Sequence, residues 1–276
     1  TAGSMATGIY LSTDGAVTWK NVFINGCGAY EQWNDVASSA DGYTLYALQQ
    51  DMGLYVSTNQ GASWARNPVD PTLTYANYNR VSCSSTGGTV AVSLMGGYIY
   101  VSNNFGYTFT AAKSLGLNSF YFVSVSADGF SMTAGASWLY TSMNGGATWS
   151  QNRAPSLAWT DVAYSTGSFY AVAVAAHQQT YGGIYLSSDN GNSWTLLPAA
   201  DQTLSWQSVT IDSTGARITA VASTVGEYHS TDFGKTFTKG TLPSGVSYKA
   251  IAGSSDGTFS VVTSMYSGGI YYTTKN

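Results

Sequence analysis

At 276 residues the chain is long enough for one large domain or two ordinary ones. Charged residues make up 9% of it, against about 25% in an average soluble protein, while Gly (31), Tyr (21) and Trp (8) are abundant, which suits many short strands joined by tight turns. The net charge of −4 and ten scattered Lys and Arg residues argue against nucleic acid as a partner, and the longest apolar run, FYAVAVAA at 169–176, is too short to span a membrane.

The first seven residues, TAGSMAT, have the composition of an expression-vector remnant with a start methionine. They lack the basic residues and the apolar core of a targeting segment. Residues 8–276 are expected to form a single domain. This domain begins on GIYLSTDG and ends on GIYYTTKN at 269–276, so its two ends have nearly the same sequence.

Six octapeptides align along the chain without gaps, and we call them the octapeptide turns. They are STDGAVTW (12–19), STNQGASW (57–64), SNNFGYTF (102–109), SMNGGATW (142–149), SSDNGNSW (187–194) and STDFGKTF (230–237). Each carries an Asp or Asn that can bond the backbone two residues on, and five have a Gly two positions later that accepts a positive φ. Each is therefore predicted to be a hairpin turn.

A short strand with a central Tyr precedes every octapeptide turn, as in GIYLS and GLYVS, and GIYYT near the end is a seventh copy of that strand. A second signature recurs between the turns: an aromatic residue, two further residues, then Val or Ile. Its copies are WNDV (33–36), YNRV (78–81), FYFV (120–123), WTDV (159–162), WQSV (206–209) and YKAI (248–251). Four short antiparallel strands in about 43 residues are the unit of a β-propeller blade.

The motif Ser-x-Asp-x-Gly-x-x-Trp at this spacing resembles the Asp-box, or bacterial neuraminidase repeat, over nearly the whole chain. The resemblance implies an all-β, six-bladed β-propeller of four-stranded antiparallel blades, in which the octapeptide is a structural turn away from the usual ligand face. Ala16 in place of Gly, and Asn for Asp in three copies, depart from the pattern. One carboxylate per turn is too few for calcium, which takes about 6–8 oxygens, so neither a metal nor another cofactor is predicted.

Closure of the propeller is expected to use both termini. Six inner strands but seven copies of the third strand are present, so the hairpin at 8–22 is predicted to complete the last blade beside strands 248–252 and 258–263. Either 269–273 or 8–12 could then hold the third place. A seven-bladed propeller is the alternative.

Ligand contact is predicted where the inner strands begin, at the top face of similar propellers. The aromatics that start these strands would form a ring there, with flat faces suited to sugar rings: Trp33, Tyr78, Phe120, Trp159, Trp206 and Tyr248. The alternative is that each packs between neighbouring blades. Arg80, Asp161 and His177 are further candidate ligand contacts because they differ between blades.

Catalytic groups are sparse in this sequence. Asp35 and Asp161 hold equivalent places three blades apart and could form a glycosidase pair. His177 with Tyr181 could be the base and acid of a polysaccharide lyase. Capping of strand ends by the two carboxylates and simple exposure of the histidine are the alternatives. Sialidase activity is not expected, because only one of four arginines, Arg80, would reach the face.

The sequence therefore predicts a non-enzymatic binding module that recognises carbohydrate or a cell-surface polymer. The alternatives are a polysaccharide-cleaving enzyme and a scaffold for a protein partner. An extracellular or cell-surface location follows from the expected ligand. The two cysteines, Cys27 and Cys83, match no metal or redox motif and could be free or bridged.

Overall fold

The computed structural model describes residues 2–4, 8–24, 32–73, 76–167, 169–177, 182–265 and 269–274. The chain divides into two compact units. One comprises Thr1–Ala134 and Ser142–Ser150, and the other Gly135–Thr141 and Gln151–Asn276. The described residues form an all-β structure, whose one helical turn is the 3-10 turn Lys113–Leu115. None of their helical segments has the length and apolar character needed to cross a bilayer.

Antiparallel sheets follow one another along the chain. The N-terminal sheet contains β1 (Ala2–Ser4), β2 (Gly8–Leu11) and β3 (Lys20–Val22). Blade 1 contains β4 (Trp33–Ser38), β5 (Leu45–Gln49), β6 (Gly53–Ser57) and β7 (Ala65–Asn67). Blade 2 contains β8 (Tyr78–Cys83), β9 (Val90–Gly97), β10 (Ile99–Ser102) and β11 (Thr110–Ala111), with β12 (Asn118–Ser119) also paired to β9.

The later sheets repeat this order. Blade 3 contains β13 (Phe122–Val125), β14 (Met132–Gly135), β15 (Leu139–Ser142) and β16 (Ser150–Gln151). Blade 4 contains β17 (Ala158–Tyr164), β18 (Ala171–Ala176), β19 (Gly183–Ser187) and β20 (Thr195–Leu196). Blade 5 contains β21 (Trp206–Ile211), β22 (Ile218–Ala222), β23 (Gly226–Ser230) and β24 (Thr238–Lys239). Blade 6 contains β25 (Tyr248–Gly253), β26 (Phe259–Ser264) and β27 (Ile270–Thr274).

The predicted six-bladed all-β propeller is confirmed, with six blades that each start at an inner strand. The second strands are buried along their whole length in blades 1, 4 and 5. Their sequences LYALQ, AVAVAA and ITAVA are nearly continuous apolar runs, because a strand covered on both faces has no solvent side that would favour alternation. The inner strands alternate more, as in blade 4, where Trp159, Val162 and Tyr164 are buried.

The octapeptides form turns, as predicted, but their Asp or Asn accepts the backbone amide four residues on rather than two, and the preceding serine accepts two further amides. In blade 5 the Ser230 hydroxyl accepts hydrogen bonds from the Asp232 and Gly234 amides at 3.3 and 2.8 Å and donates to the Asp232 carboxylate at 2.8 Å. That carboxylate also accepts the Thr236 amide and hydroxyl at 3.0 and 2.7 Å. The chain passes through two successive positive φ angles, 60° at Phe233 and 78° at Gly234.

Asparagine replaces the aspartate of the turn without loss of these contacts. Asn59 accepts the Ser63 amide at 2.9 Å and uses its own amide to donate to the Ser63 hydroxyl at 2.8 Å, so the hydroxyl becomes the acceptor. Ala16, in the place of Gly, adopts a φ of 68° that costs an L-residue some strain.

The C-terminal strand takes the third place of the last blade, as one of the two predicted arrangements has it, but the N-terminal hairpin pairs differently from the prediction. The strand β27 holds the third place in blade 6, where Tyr272 lies opposite Val261. The hairpin at 8–22 does not complete this sheet, since Gly8–Leu11 pairs with Ala2–Ser4 on one side and Lys20–Val22 on the other. Pairing with residues four positions away closes a far shorter loop than pairing across the chain ends, and so loses less entropy.

Two of the turn carboxylates predict an acid-sensitive stability. Hydrogen bonds from Thr18 and Ser12 lower the pKa of Asp14 from 3.8 to about 2, and those from Thr236 and Ser230 do the same for Asp232. A lowered pKa in the folded state gives stability that is present above pH 3.8 and is lost as the pH falls through about 2. We expect Asp14→Asn with Asp232→Asn to flatten the fall in Tm between pH 4 and pH 2. Asp51→Asn, in an exposed hairpin, is the control, and an unchanged profile in the double variant would contradict the assignment.

Candidate functional site

The six aromatics predicted to form a ligand-contacting ring are interior residues. Their side chains are all 5% exposed or less: Trp33, Tyr78, Phe120, Trp159, Trp206 and Tyr248. Four of them make edge-to-face contacts with the central tyrosine of the third strand of their own blade. Trp33 contacts Tyr55 at 5.3 Å between ring centroids, and Trp159 contacts Tyr185 at 4.9 Å. Trp206 and Tyr248 make the same contact with Tyr228 and Tyr271, at 5.3 and 5.7 Å.

The polar ends of these rings anchor the loops that lead into the inner strands. Tyr78 donates its hydroxyl to the Pro68 carbonyl at 2.6 Å, and Tyr248 donates to the Pro243 carbonyl at the same distance. The Trp159 and Trp206 indoles donate to the Pro155 and Asp201 carbonyls at 3.1 and 3.0 Å. The geometry thus gives these aromatics a packing role, and ligand binding by them remains a prediction that none of these contacts supports.

The residue after the aromatic links three of the blades to the next one. Asn34 donates its amide to the Tyr78 carbonyl at 2.6 Å, and Asn79 donates to the Tyr121 carbonyl at 2.5 Å. In the second unit, the Thr160 hydroxyl reaches the Trp206 carbonyl at 3.0 Å. These contacts join the starts of neighbouring inner strands.

The candidate catalytic carboxylates also link neighbouring blades. Asp35 accepts the Val81 amide of blade 2 at 2.9 Å and lies 3.7 Å from the Arg80 guanidinium, in an ion pair whose side chains are 17% and 22% exposed. Arg80, the other candidate at this position, is therefore oriented by Asp35. Both side chains stabilise the contact between blades 1 and 2 within the first unit.

Asp161 links blades 4 and 5 in the second unit. It accepts a short hydrogen bond from the Ser208 hydroxyl and a 3.2 Å bond from the Val209 amide. The Ser208 oxygen in turn accepts the Ile251 amide of blade 6 at 3.1 Å. Asp161 is thus the first member of a chain of hydrogen bonds through three blades, a structural duty that accounts for its position.

His177 is exposed at the end of β18, on the edge of blade 4 where the inner strand begins. Its predicted partner Tyr181 and the cysteine Cys27 lie outside the described residues. Cys83 is largely buried, which raises the pKa of its thiol to about 12 and leaves it protonated at neutral pH. The described residues contain no cluster of His, Cys, Asp or Glu that could hold a metal.

The opposite edge of the blades carries a series of exposed aromatic side chains. We call it the turn edge, because the octapeptide turns and the hairpins between first and second strands lie there. In the first unit the series is Tyr43, Phe105 and Phe130, which are 52%, 42% and 63% exposed. In the second unit Phe169 is 70% exposed, whereas Phe233, at the corresponding turn position, is only partly exposed because it packs on Tyr170 at 5.2 Å.

Each of blades 1 to 5 has one aromatic of this series at one of two facing positions. One position is in the hairpin, and the other is the fourth residue of the octapeptide turn. A backbone hydrogen bond of 2.9–3.0 Å joins the two positions in every case. The pairs, with the hairpin residue first, are Tyr43 and Gln60, Gly88 and Phe105, Phe130 and Gly145, Phe169 and Asn190, and Ala216 and Phe233.

Neighbouring hairpins are joined along this edge within each unit. The Ala40 amide of blade 1 donates to the Ser85 carbonyl of blade 2 at 2.8 Å, and the Ser85 amide donates to the Ala127 carbonyl of blade 3 at 2.9 Å. Ser213 of blade 5 likewise bonds residues of blades 4 and 6. The aromatics of one unit therefore belong to one continuous surface.

Polar groups stand beside these rings. Asp41 is two residues before Tyr43 and accepts its amide at 2.9 Å, and Asp128 does the same for Phe130 at 3.0 Å. The Ser39 hydroxyl and the Tyr43 amide lower the pKa of Asp41, so it is ionised at neutral pH. Apolar ring faces beside fixed hydrogen-bond acceptors are the arrangement that binds ligands with both CH and OH groups.

The exposed series was not predicted from the sequence. The sequence holds its signal only in the two positions taken together. Where the hairpin position is aromatic, the fourth residue of the octapeptide turn is not, and where the turn residue is aromatic, the hairpin residue is not. A column-by-column comparison of six octapeptides shows aromatics in only two of them at this position, which hides the regularity.

Comparison with protein-family models and with curated protein sequences gives no match. Solved structures do match over nearly the whole chain. YCF48 from Cyanidioschyzon merolae aligns with a TM-score of 0.69 at 17% identity, covering 95% of this chain and 86% of its own. A structure of YCF48 bound to a D1 peptide gives 0.72 at 16% identity, covering 99% and 87%.

A GH74 xyloglucanase from Xanthomonas campestris is similar to the same degree, with a TM-score of 0.73 at 15% identity. The match covers 98% of this chain but 49% of the enzyme, so the chain spans about half the enzyme's length. Identities this low show the fold alone. The neighbours of this chain thus include both a peptide-binding propeller and propeller enzymes.

The links between blades predict the effect of removing a candidate catalytic group. Asp161→Ala leaves the buried Ser208 hydroxyl and the Val209 amide without their acceptor, so we expect the free energy of unfolding to fall by about 1–3 kcal/mol. Chemical denaturation measures it, with the exposed Asp51→Ala as control. Equal stability of the two variants would show that Asp161 has no structural duty.

Proposed function

We propose that the chain is a non-enzymatic binding module that recognises a neutral carbohydrate polymer through the exposed aromatics of the turn edge. The observation that carries the proposal is the exchange between the two facing positions, which places an aromatic at one or the other of them in each of blades 1 to 5. A role in local packing would favour one of the two positions and a buried ring. Tyr43, Phe130 and Phe169 are instead more than half exposed.

Exposed aromatics of this size are unfavourable in water unless a ligand covers them, since a large apolar surface gains free energy when it is removed from solvent. The CH face of a sugar ring covers an aromatic plane and leaves its hydroxyls free to bond neighbouring acceptors. Asp41 and Asp128 supply such acceptors next to Tyr43 and Phe130. A repeated ligand suits a repeated surface, and a polysaccharide is a ligand of that kind.

The structural duties of Asp35 and Asp161 favour binding over cleavage. Each carboxylate accepts backbone or hydroxyl donors that fix its position in a sheet contact. A glycosidase reaction would need these groups free to exchange protons or attack a sugar carbon. On this proposal the octapeptide turns make the chain an Asp-box propeller, and its ligand is met outside the cell or at its surface.

A protein partner is the second candidate, favoured by one observation. The neighbour solved with a bound peptide, YCF48, matches over 87% of its own length, whereas the xyloglucanase matches over 49%. Exposed aromatics beside carboxylates also suit a peptide with basic side chains.

The test is binding of neutral polysaccharides and oligosaccharides, found on a glycan array and quantified by calorimetry. Phe130→Ala removes one stacking contact of about 0.5–1.5 kcal/mol and is expected to weaken binding about 2–12-fold, with a larger loss when Tyr43→Ala is added. Tyr121→Ala is the matched control, because this tyrosine is 47% exposed in the same unit but lies where the inner strand begins.

Loss of binding in Tyr121→Ala and not in Phe130→Ala would place the ligand on the edge predicted from the sequence and would contradict the proposal. Absence of binding to any glycan, with binding to basic peptides, would favour the second candidate. Release of reducing ends or unsaturated sugar from the same polysaccharides, abolished by Asp161→Asn or His177→Ala, would establish an enzyme.

A further inference from the structure

A groove of about 650 Å³ lies between blades 2 and 3 on the outer side of the turn edge, within the first unit. Its walls are the third and fourth strands of blade 2 and the octapeptide turn of blade 3. Val101 and Ala112 line its base, Asn103, Thr110 and Lys113 one side, and Gly146 the other. A volume of several hundred Å³ is the size of small-ligand sites.

Equivalent positions elsewhere in the chain are filled by the protein's own side chains. Between blades 1 and 2 the residue three positions after the turn tryptophan is Asn67. Its amide donates to the Gly106 and Tyr107 carbonyls at 2.5 and 3.1 Å. Gly106 is the turn glycine of blade 2, as Gly146 is of blade 3. An amide side chain therefore occupies the place that is open in the next groove.

The second unit repeats this filling. Between blades 3 and 4, the turn glycine is Gly191. Its carbonyl accepts the Thr141 hydroxyl at 2.8 Å and lies 3.5 Å from the Asn152 amide nitrogen. Between blades 4 and 5 the equivalent residue is Leu197, whose side chain packs against the turn glycine Gly234.

Blade 2 has smaller or apolar residues at both of these places. Ala112 stands where Asn67 and Asn152 stand, and Val101 where Thr141 stands. Among the described residues the donor to the Gly146 carbonyl is the Trp149 indole of the same turn, at 3.1 Å. The Asn103 amide of blade 2 reaches the neighbouring Gly145 carbonyl, at 3.2 Å. The place that Asn67 fills in the preceding groove is therefore open here, and the Gly146 carbonyl keeps a second lone pair beside it.

We propose that this groove is a subsite for a neutral sugar residue, one of whose hydroxyls donates to the Gly146 carbonyl as Asn67 does to Gly106. The inference rests on the proposed function and extends it, because the groove adjoins the aromatic series. Gly145, which lines it, donates its amide to the Phe130 carbonyl at 2.9 Å, and Asn104, also in the lining, precedes Phe105. A sugar unit branching from a chain stacked on Phe105 or Phe130 would enter here.

The charges around the groove favour a neutral ligand. The turns on its two sides carry Asn104 and Asn144, whereas the turns of blades 4 and 5 carry Asp189 and Asp232. Lys113 is the charged residue in the lining, and Asp70 lies close to it: hydrogen bonds from Thr72 and the charge of Lys113 lower the pKa of that carboxyl. The opposite charge of Asp70 offsets that of Lys113, whose ammonium can donate a hydrogen bond to a sugar oxygen.

A second groove of about 380 Å³ occupies the equivalent place between the N-terminal sheet and blade 1. Leu11 and Val22 stand there at the positions of Thr141 and Asn152, and Lys20 is among its lining residues. In both of these grooves of the first unit, the position that Asn67 and Asn152 hold elsewhere carries Ala112 or Val22, and the groove is open.

The test is a methyl-NMR titration of the whole chain with cellobiose, maltose and lactose, and separately with glucuronate. We expect at least one neutral disaccharide to shift the Ala112 and Val101 methyl signals with a Kd in the millimolar range. Ala112→Asn copies Asn67 and should abolish the Val101 shift, whereas Ala112→Gly keeps the groove open and should preserve it. If Ala112→Asn does not fold, Val101→Thr copies Thr141 instead and should abolish the Ala112 shift.

No shift of these methyls by any neutral disaccharide, a shift by glucuronate alone, or an unchanged Val101 shift in the folded Ala112→Asn variant would each overturn the subsite. These outcomes are separate from the proposed function, because polymer binding that depends on Phe130 would persist when the groove is closed. If Phe130→Ala loses polymer binding but keeps the disaccharide-induced methyl shifts, the groove binds sugar independently of the turn-edge aromatics.

Discussion

Every blade must have both of its faces covered, and this constraint decides what most of the residues can do. A second strand such as Ala171–Ala176 is buried along its whole length because blades cover it on both sides. The inner aromatics fill the same space, Trp159 against Tyr185 and Trp206 against Tyr228. Polar groups near the inner strands then serve the contact between blades, as Asp35 does at Val81 and Asp161 at Ser208. A residue that is repeated in every blade thus packs between blades and is not available to a ligand.

Function is consequently left to side chains at the blade edges and to the places where the repeat is broken. At the turn edge, the aromatic comes from the hairpin in blades 1, 3 and 4 and from the octapeptide turn in blades 2 and 5, so its presence is regular although its sequence position is not. The groove beside Gly146 is a break of the opposite kind, in which Ala112 fails to supply the amide that Asn67 and Asn152 supply. The groove lies within the first unit, and each unit carries its own part of the aromatic series. Both features are more exposed to solvent than the interior.

The architecture could be read from the sequence because its signals are local. Ser230, Asp232 and Gly234 specify a turn through contacts within five residues, and six such turns at a fixed period specify blades. The site could not be read in this way. Burial of Trp33 or Trp206 depends on the third strand of the same blade, and the bond from Asp161 spans 47 residues to Ser208. The pairing of the N-terminal hairpin was also missed. One edge of Gly8–Leu11 pairs with Ala2–Ser4, which belongs to a segment with the composition of an expression-vector remnant.

The central claim is that ligands meet this propeller at its turn edge, and hydrogen exchange measured with a bound neutral polysaccharide tests it most directly. The account predicts slower exchange of backbone amides in the hairpins at 39–44, 84–89 and 126–131 and in the octapeptide turns at 102–109 and 142–149. Exchange rates of the amides at 136–138, 152–157 and 177, which lie at the edge where inner strands begin, should be unchanged. Protection of the latter group, with none at the turn edge, would contradict the account.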